Sequence, residues 1–260
     1  MADRSSPVQG RTALVTGGGN GLGRAIALAL AAAGVRVIAC GRTDSTLTET
    51  ARLAAEAAHD VRTALVDVAD PASVDALRDA LADETIAILI NNAGVAGPVA
   101  SLVDIAPNEW DDVFATNVRG VYLMCRAFLP MMIERGGGDV INLASVSGKR
   151  PLARRTPYCA SKMAVIGLTT TLAAEVGPLG IVVNSLSPGP VRGPRMDRNF
   201  RLEAERLGIT VEEATEAFVA RASLGRLVEE DEVGEAVVAM LHMPGLHAAD
   251  IDLSAGMVAR

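Results

Sequence analysis

Short apolar runs alternate along this chain with longer amphipathic stretches. Arg11 to Thr16, Val35 to Cys40, Val61 to Val66, Ile86 to Asn91, Asp139 to Ala144 and Ile181 to Leu186 are dominated by Val, Ile, Leu and Ala. Such runs predict strands buried on both faces. Helical periodicity marks Gly21 to Ala33, Ser45 to Ala58, Ala72 to Leu81 and Glu109 to Glu134, the last with Pro130 inside it. It returns from Thr156-Pro157 to about Val176 and from Glu229 to Leu241, with a short last strand at Asp250 to Leu253. Strands alternating with helices in this way imply right-handed crossovers and a parallel, doubly wound α/β sheet of about seven strands, with helices on both faces. No repeat, low-complexity tract or linker interrupts residues 1–260, so one domain is expected. The stretch from Arg192 to Gly225 breaks the alternation, and a lid or substrate loop is expected over about 190–225.

In an open parallel sheet a ligand binds beyond the carboxyl ends of the strands. The first such end opens TGGGNGLG, Thr16 to Gly23, between strand and helix. Gly17 can make the tight turn, Gly21 can admit a pyrophosphate to the backbone, and Gly23 can let helix pack on strand, although a plain tight loop reads the same way. The second strand ends in Gly41-Arg42, with no acid to hold ribose hydroxyls. A guanidinium there suits a 2′-phosphate, which favours NADP over NAD unless Arg42 is simply solvated. Asp67-Val68 follows the third strand, where Asp67 either accepts from an adenine amino group or caps the helix at Pro71. Asn91-Asn92-Ala93-Gly94 ends the fourth strand with small residues and amides that permit close approach by a ligand.

Composition narrows the partners. The 260 residues are 50% hydrophobic, with a formal net charge of −7 and 3% aromatics. Phosphate backbones and anionic membranes draw on Lys and Arg, and base stacking needs aromatics, so nucleic acid and membrane are not expected partners. Cys40, Cys125 and Cys159 lack metal or disulfide spacing, and His59, His242 and His247 form no ligand set, so no metal is expected. The opening MADRSSPVQG has no apolar signal core and no apolar run reaches membrane length, which predicts a cytoplasmic protein.

The candidate chemistry centres on Tyr158-Cys159-Ala160-Ser161-Lys162, which sets a phenol and an amine four positions apart at the start of a helix. A free phenol ionises near pH 10, and a neighbouring ammonium favours its charged form. Lowering that value by about 3 units takes roughly 4 kcal/mol, more than a solvated pair supplies, so a working pair belongs in a cleft. With two Tyr and two Lys in the chain, chance would produce the spacing about once in sixty-five. Ser145 follows the fifth strand and would meet Tyr158 only if the loop Lys149 to Pro157 folds back. Lys149, Arg150, Arg154 and Arg155 in that loop form either a solvated rim or an attraction for an anionic substrate. Asn117, in mid-helix, either finds partners or loosens the helical ladder. Ser187-Pro188-Gly189-Pro190-Val191 makes a rigid turn after the sixth strand.

With TGGGNGLG, NNAG, Ser145 before YCASK, and SPGPV in this order, the chain resembles the single-domain branch of the short-chain dehydrogenase/reductase family over essentially its whole length. The resemblance implies a Rossmann fold and an oxidoreductase that transfers a hydride between NADP, or alternatively NAD, and a small ketone or secondary alcohol. It implies Tyr158 as general acid/base, Lys162 lowering its pKa and holding the nicotinamide ribose, and Ser145 orienting the reacting oxygen. Asn117 would keep a bent helix and a water that links Lys162 to solvent. Cofactor contacts would come from Gly17, Gly19, Asn20, Gly21, Leu22, Gly23, Arg42, Asp67, Val68, Asn91, Ala93, Gly94, Tyr158, Lys162, Pro188, Gly189 and Val191. A homotetramer, or a homodimer, is implied by the resemblance alone. Two departures stand out: Gly193 replaces a Thr that often contacts the cofactor, and Leu253-Ser254-Ala255-Gly256 replaces the usual VDGG. A non-catalytic binding protein on the same fold would not need Asn117, Ser145, Tyr158 and Lys162 together.

Overall fold

The computed structural model describes residues 8–258, so most of the polar N-terminal stretch lies outside the described residues. The strands are β1 (Thr12–Thr16), β2 (Arg36–Gly41), β3 (Val61–Leu65), β4 (Ile86–Asn91), β5 (Gly138–Leu143), β6 (Ile181–Pro188) and β7 (Asp250–Leu253). They form one parallel sheet in the order β3-β2-β1-β4-β5-β6-β7. The helices are α1 (Gly21–Ala32), α2 (Asp44–Glu56), α3 (Pro71–Ala80), α4 (Pro107–Phe114), α5 (Gly120–Glu134), α6 (Thr156–Val176), α7 (Pro194–Leu207), α8 (Val211–Val219) and α9 (Glu230–Leu241).

Every residue of β1 and β6 is buried, which is why their sequences show no polar alternation. Successive side chains still point to opposite faces. Leu14 joins the core under α3, α5 and α6, while Ala13 and Val15 join the one under α1, α2 and α9. Phe128 and Leu14 are fully buried in the first core, a burial that contributes roughly 2 kcal/mol for each such side chain. The edge strand β3 is more polar because only one neighbour covers it, and its exposed Arg62 pairs with Glu84.

The expected single helix over Glu109 to Glu134 is divided. A π-helical segment, Ala115–Arg119, separates α4 from α5. Asn117 lies in it, and its amide bonds outside the helix, to Val95 and Ser161, rather than along it. A side chain anchored elsewhere opens the ladder by one residue. The irregular stretch after β6 folds into α7 and α8, joined at Gly208 (φ 67°), with Thr210 and Glu213 forming a capping box. Met196, Phe200 and Leu227 form a small separate core there.

Two local readings need correction. Asp67 does not cap α3: Asp70 does, accepting from the Ala72 amide at 3.1 Å, while Asp67 accepts from the Ala69 amide at 2.9 Å. The reason is reach, since a cap must sit one residue before the first helical turn. Lys149 is no solvated rim residue either. Its side chain is 4% exposed and bridges Asp250 and Asp252 of β7, while the hydroxyls of Ser185 and Ser187 each donate to Asp250 at 2.8 Å. The C-terminal departure Leu253 to Gly256 also has a local structural setting: an added Cβ on Gly189 would stand 2.8 Å from Ser254 Cα, and one on Gly256 would strike Ser223 Oγ.

Lys149 neutralises two carboxylates that sit mostly out of water, so its removal leaves both uncompensated. Lys149→Ala should therefore destabilise the fold by about 3 kcal/mol. Arg52→Ala, which breaks exposed pairs on α2, should cost under about 1 kcal/mol. Urea unfolding of the two variants measures the difference.

Candidate active site

Parallel strands bring their carboxyl ends to one edge, and the sheet order places β1 beside both β2 and β4. Along that edge runs a cavity of about 630 Å³. Its walls include Gly17, Asn20, Gly21, Leu22 and Gly23 at one end and Ser145, Tyr158 and Lys162 at the other, with Ala93, Gly94, Pro188, Gly189 and Val191 between.

Gly17 has φ 66° and Gly21 has φ 49°, a region that glycine enters without a Cβ clash. A Cβ on Gly23 would lie 2.0 Å from the Gly17 carbonyl oxygen, so α1 starts this close to β1 only because Gly23 has no side chain. Thr16 and Asn92 stitch the turn across the switch point. Thr16 Oγ1 accepts from the amides of Asn92 (2.9 Å) and Ala93 (3.0 Å), and Asn92 Nδ2 donates to the Thr16 carbonyl at 2.9 Å. An open glycine cradle at a helix start, continuous with a buried phenol and amine, fits a dinucleotide: phosphates at the backbone amides, the nicotinamide ring near Tyr158.

Five of the predicted cofactor positions do not line this cavity. Asn91 turns into the core, where Nδ2 donates to Asn142 Oδ1 at 2.9 Å and to Cys125 Sγ at 3.4 Å; strand alternation points its neighbour Asn92 to the ligand side instead. Val68 packs on Gly120, and Gly19 faces Thr46 of α2. Arg42 is exposed at the end of β2, beyond the glycine turn, and Asp67 is engaged in its own turn.

At the other end, the loop does fold back. Gly148 lets the turn after Ser145 lie on α6, since a Cβ there would stand 2.8 Å from the Met163 amide nitrogen. Ser145 Oγ accepts from the Ser147 amide at 3.1 Å, which leaves its own proton to donate. Tyr158, Lys162 and Ser145 are all buried. Lys162 Nζ donates to the Leu143 carbonyl at 2.6 Å and lies 5.9 Å from the centre of the Tyr158 ring, so it acts on the phenol through its field rather than by direct bonding. Asn117 Oδ1 accepts from the Val95 amide at 2.8 Å, and its Nδ2 donates to the Val95 carbonyl and to Ser161 Oγ, both at 3.0 Å. A Cβ on Gly94 would lie 3.1 Å from Asn117 Oδ1 and 3.7 Å from Lys162 Nζ, so a side chain there would crowd the approach between them.

Arg195, in the first turn of α7, reaches the phenol itself. One guanidinium nitrogen donates to Tyr158 Oη at 3.2 Å, and its carbon lies 5.5 Å from the ring centre. Burial alone would push the Tyr158 phenol up; the charges of Arg195 and Lys162 and a hydrogen bond from Ser145 outweigh it and bring the pKa down to about 8. At pH 7 that leaves about a tenth of the molecules as phenolate, against about one in a thousand for a free phenol. Burial pushes the Lys162 ammonium down in turn. No sequence pattern pairs residue 195 with residue 158.

The chain matches the family described as short chain dehydrogenase over residues 11–205. It is 39% identical over 229 residues to a protein of Streptomyces violaceoruber named as ketoacyl reductase 1 of the granaticin polyketide synthase, covering 86% of this chain and 84% of that one. It is 42% identical over 186 residues to D-threitol dehydrogenase of Mycolicibacterium smegmatis, covering 70% of each. Among solved structures, a variant of the actinorhodin polyketide ketoreductase with NADPH superposes with a TM-score of 0.90 at 32% identity, covering 99% of both chains.

The phenolate difference spectrum of wild type against Tyr158→Phe should titrate with a midpoint near pH 8. In Arg195→Leu the midpoint should move up towards the ordinary phenol value of about 10. An unmoved midpoint would assign the shift to Lys162 and Ser145 alone.

Proposed function

This chain belongs to the short-chain dehydrogenase/reductase family, and from that premise we propose how its own residues run the reaction. It is an oxidoreductase that interconverts a carbonyl and a secondary alcohol with a nicotinamide dinucleotide. When bound, the dinucleotide supplies or accepts the hydride at the reacting carbon. In reduction, the Tyr158 phenol gives its proton to the carbonyl oxygen; in oxidation, its phenolate takes the proton from the alcohol. Ser145 donates to the same oxygen and fixes its position. Lys162 holds the phenol's charge in place and the nicotinamide ribose with a remaining donor. Asn117 anchors the π-helical bend and, with Lys162, leaves a polar route at Gly94. The observation that carries this reading is the shared burial of Ser145, Tyr158 and Lys162 at the end of the glycine-lined cavity.

NADP is the favoured cofactor, with NAD as the alternative. Support comes from Arg42 at the end of β2, where no acid stands, and from the NADPH of the superposed ketoreductase. The sheet common to both cores supports one domain over 1–260, with a lid over about 190–225 carried by α7 and α8. A cytoplasmic setting is proposed from the three free thiols, and no helix among the described residues is long and apolar enough to cross a membrane. A homotetramer or homodimer is proposed, supported by exposed Val103, Tyr122 and Met163. The substrate is a small ketone or alcohol, with an anionic one favoured by the cations around the lid.

Tyr158→Phe should lower turnover of a ketone panel with NADPH by about 10²- to 10⁴-fold while dinucleotide binding, followed by thermal shift, persists. Equal rates in the two proteins would defeat the proton-transfer role. Arg42→Ala should weaken NADP binding about tenfold and leave NAD binding nearly unchanged, measured by titration calorimetry.

A further inference from the structure

The cations near the cavity divide into those already matched and those that are not. Lys149 is held by Asp250 and Asp252, and Arg192 pairs with Glu229. Arg150 donates to the Met257 carbonyl and Arg154 to the Val99 carbonyl. Arg155 differs. It is 7% exposed, and its donors reach only neutral acceptors, the Gly97 carbonyl at 3.4 Å and Asn199 Oδ1 at 3.0 Å. Arg195, on the cavity wall, donates to Tyr158 Oη and, among the described residues, to no other group. Neither guanidinium makes an ion pair with a carboxylate among the described residues.

A buried guanidinium without a counter-charge is costly. Burial, then Arg195, then Arg198 all act to lower the Arg155 pKa, a measure of how crowded with positive charge this corner is. Arg195 keeps most of its five N–H donors uncommitted. Within the cavity the Arg195 guanidinium is turned to the reacting end, where its hydrogen-bond partner is Tyr158 Oη. In a chain of net charge −7, an unpaired pair of arginines beside the reacting group needs a function.

We propose that Arg195, backed by the field of Arg155, binds a carboxylate on the substrate, and that the substrate is a 2- or 3-oxo acid or the matching hydroxy acid. The inference rests on the oxidoreductase reading above. Spacing sets the class. The reacting carbonyl oxygen stands at hydrogen-bond distance from Tyr158 Oη, and Arg195 is 3.2 Å from that same atom. A group bound by Arg195 therefore sits one or two carbons from the reacting carbonyl. The planar fork of a guanidinium matches a carboxylate with two parallel bonds. In reduction, hydride from NADPH goes to the carbonyl carbon, the Tyr158 proton goes to its oxygen, and NADP⁺ and the hydroxy acid leave; the carboxylate is unchanged throughout.

The test compares short 2- and 3-oxo acids, pyruvate and acetoacetate among them, with their methyl esters, using full-length protein and NADPH. Wild type should favour the acid over its ester by roughly 10- to 100-fold in kcat/KM, the effect of one or two charge-assisted hydrogen bonds. Arg195→Met should bring that ratio close to one, and Arg195→Lys should restore part of it. The ratio is insensitive to any change in the Tyr158 pKa, which acts on acid and ester alike. Arg155→Met should lower the ratio several-fold. Neutral ketones or esters reduced as well as the acids overturn the carboxylate site but leave the oxidoreductase reading intact, as does a preference for acetol phosphate. Reduction of no carbonyl compound overturns that reading and this inference with it.

Discussion

Lys162 and Tyr158 are buried side by side, and much of the surrounding structure exists to make that arrangement stable. An ammonium taken out of water needs acceptors, and Lys162 finds one in the Leu143 carbonyl at the end of β5. A phenol taken out of water would hold its proton more tightly than in solution, the opposite of what proton transfer near neutrality requires. Positive charge on two sides, from α6 and from α7, reverses that tendency. The same field in bulk water would be screened to little effect.

That pair needs the ends of β5 and α6 close together, and glycine provides the approach. Gly148 lets the turn after β5 rest on the backbone of α6, and Gly23 does the same for α1 on the turn after β1. Asn117 completes the frame from a third element. By bonding across to Val95 and Ser161 it diverts the helix into a π-helical segment, a local loss of regular structure that fixes the loop facing Lys162. The site is thus held by short polar bridges between elements that the two apolar cores keep in register.

The segment after β6 adds a chemical group to the site. Arg195 stands in the first turn of α7, directly after Gly193, whose φ of 145° no L side chain adopts easily. A Cβ at Gly193 would also come within 2.9 Å of the Glu230 carboxylate, so the usual Thr would need a strained backbone and a shifted Glu230 side chain. The departure from the family pattern and the arrival of a guanidinium at the phenol therefore occur in the same short segment.

Much of the fold was written locally. Short apolar runs without alternation, spaced by helical stretches, pointed to a parallel sheet covered on both faces, although the run at β3 proved largely exposed because it became the sheet edge. The Tyr158–Lys162 spacing and the glycine turn carried their chemistry in a few residues, because i and i+4 share a helix face whatever else the chain does. Tertiary structure alone decided which side chains face the ligand. Asn91 and Asn92 are equivalent in sequence, but the strand's alternation sends one into the core and the other to the cavity. Nothing in the local pattern around Lys149 or Arg195 specified which group each would meet. Partners 101 and 37 residues away made the first an internal strut and the second a neighbour of the catalytic phenol. Local pattern specifies what the backbone does; long-range packing specifies where each charge ends up, and that depends on distances no short stretch encodes.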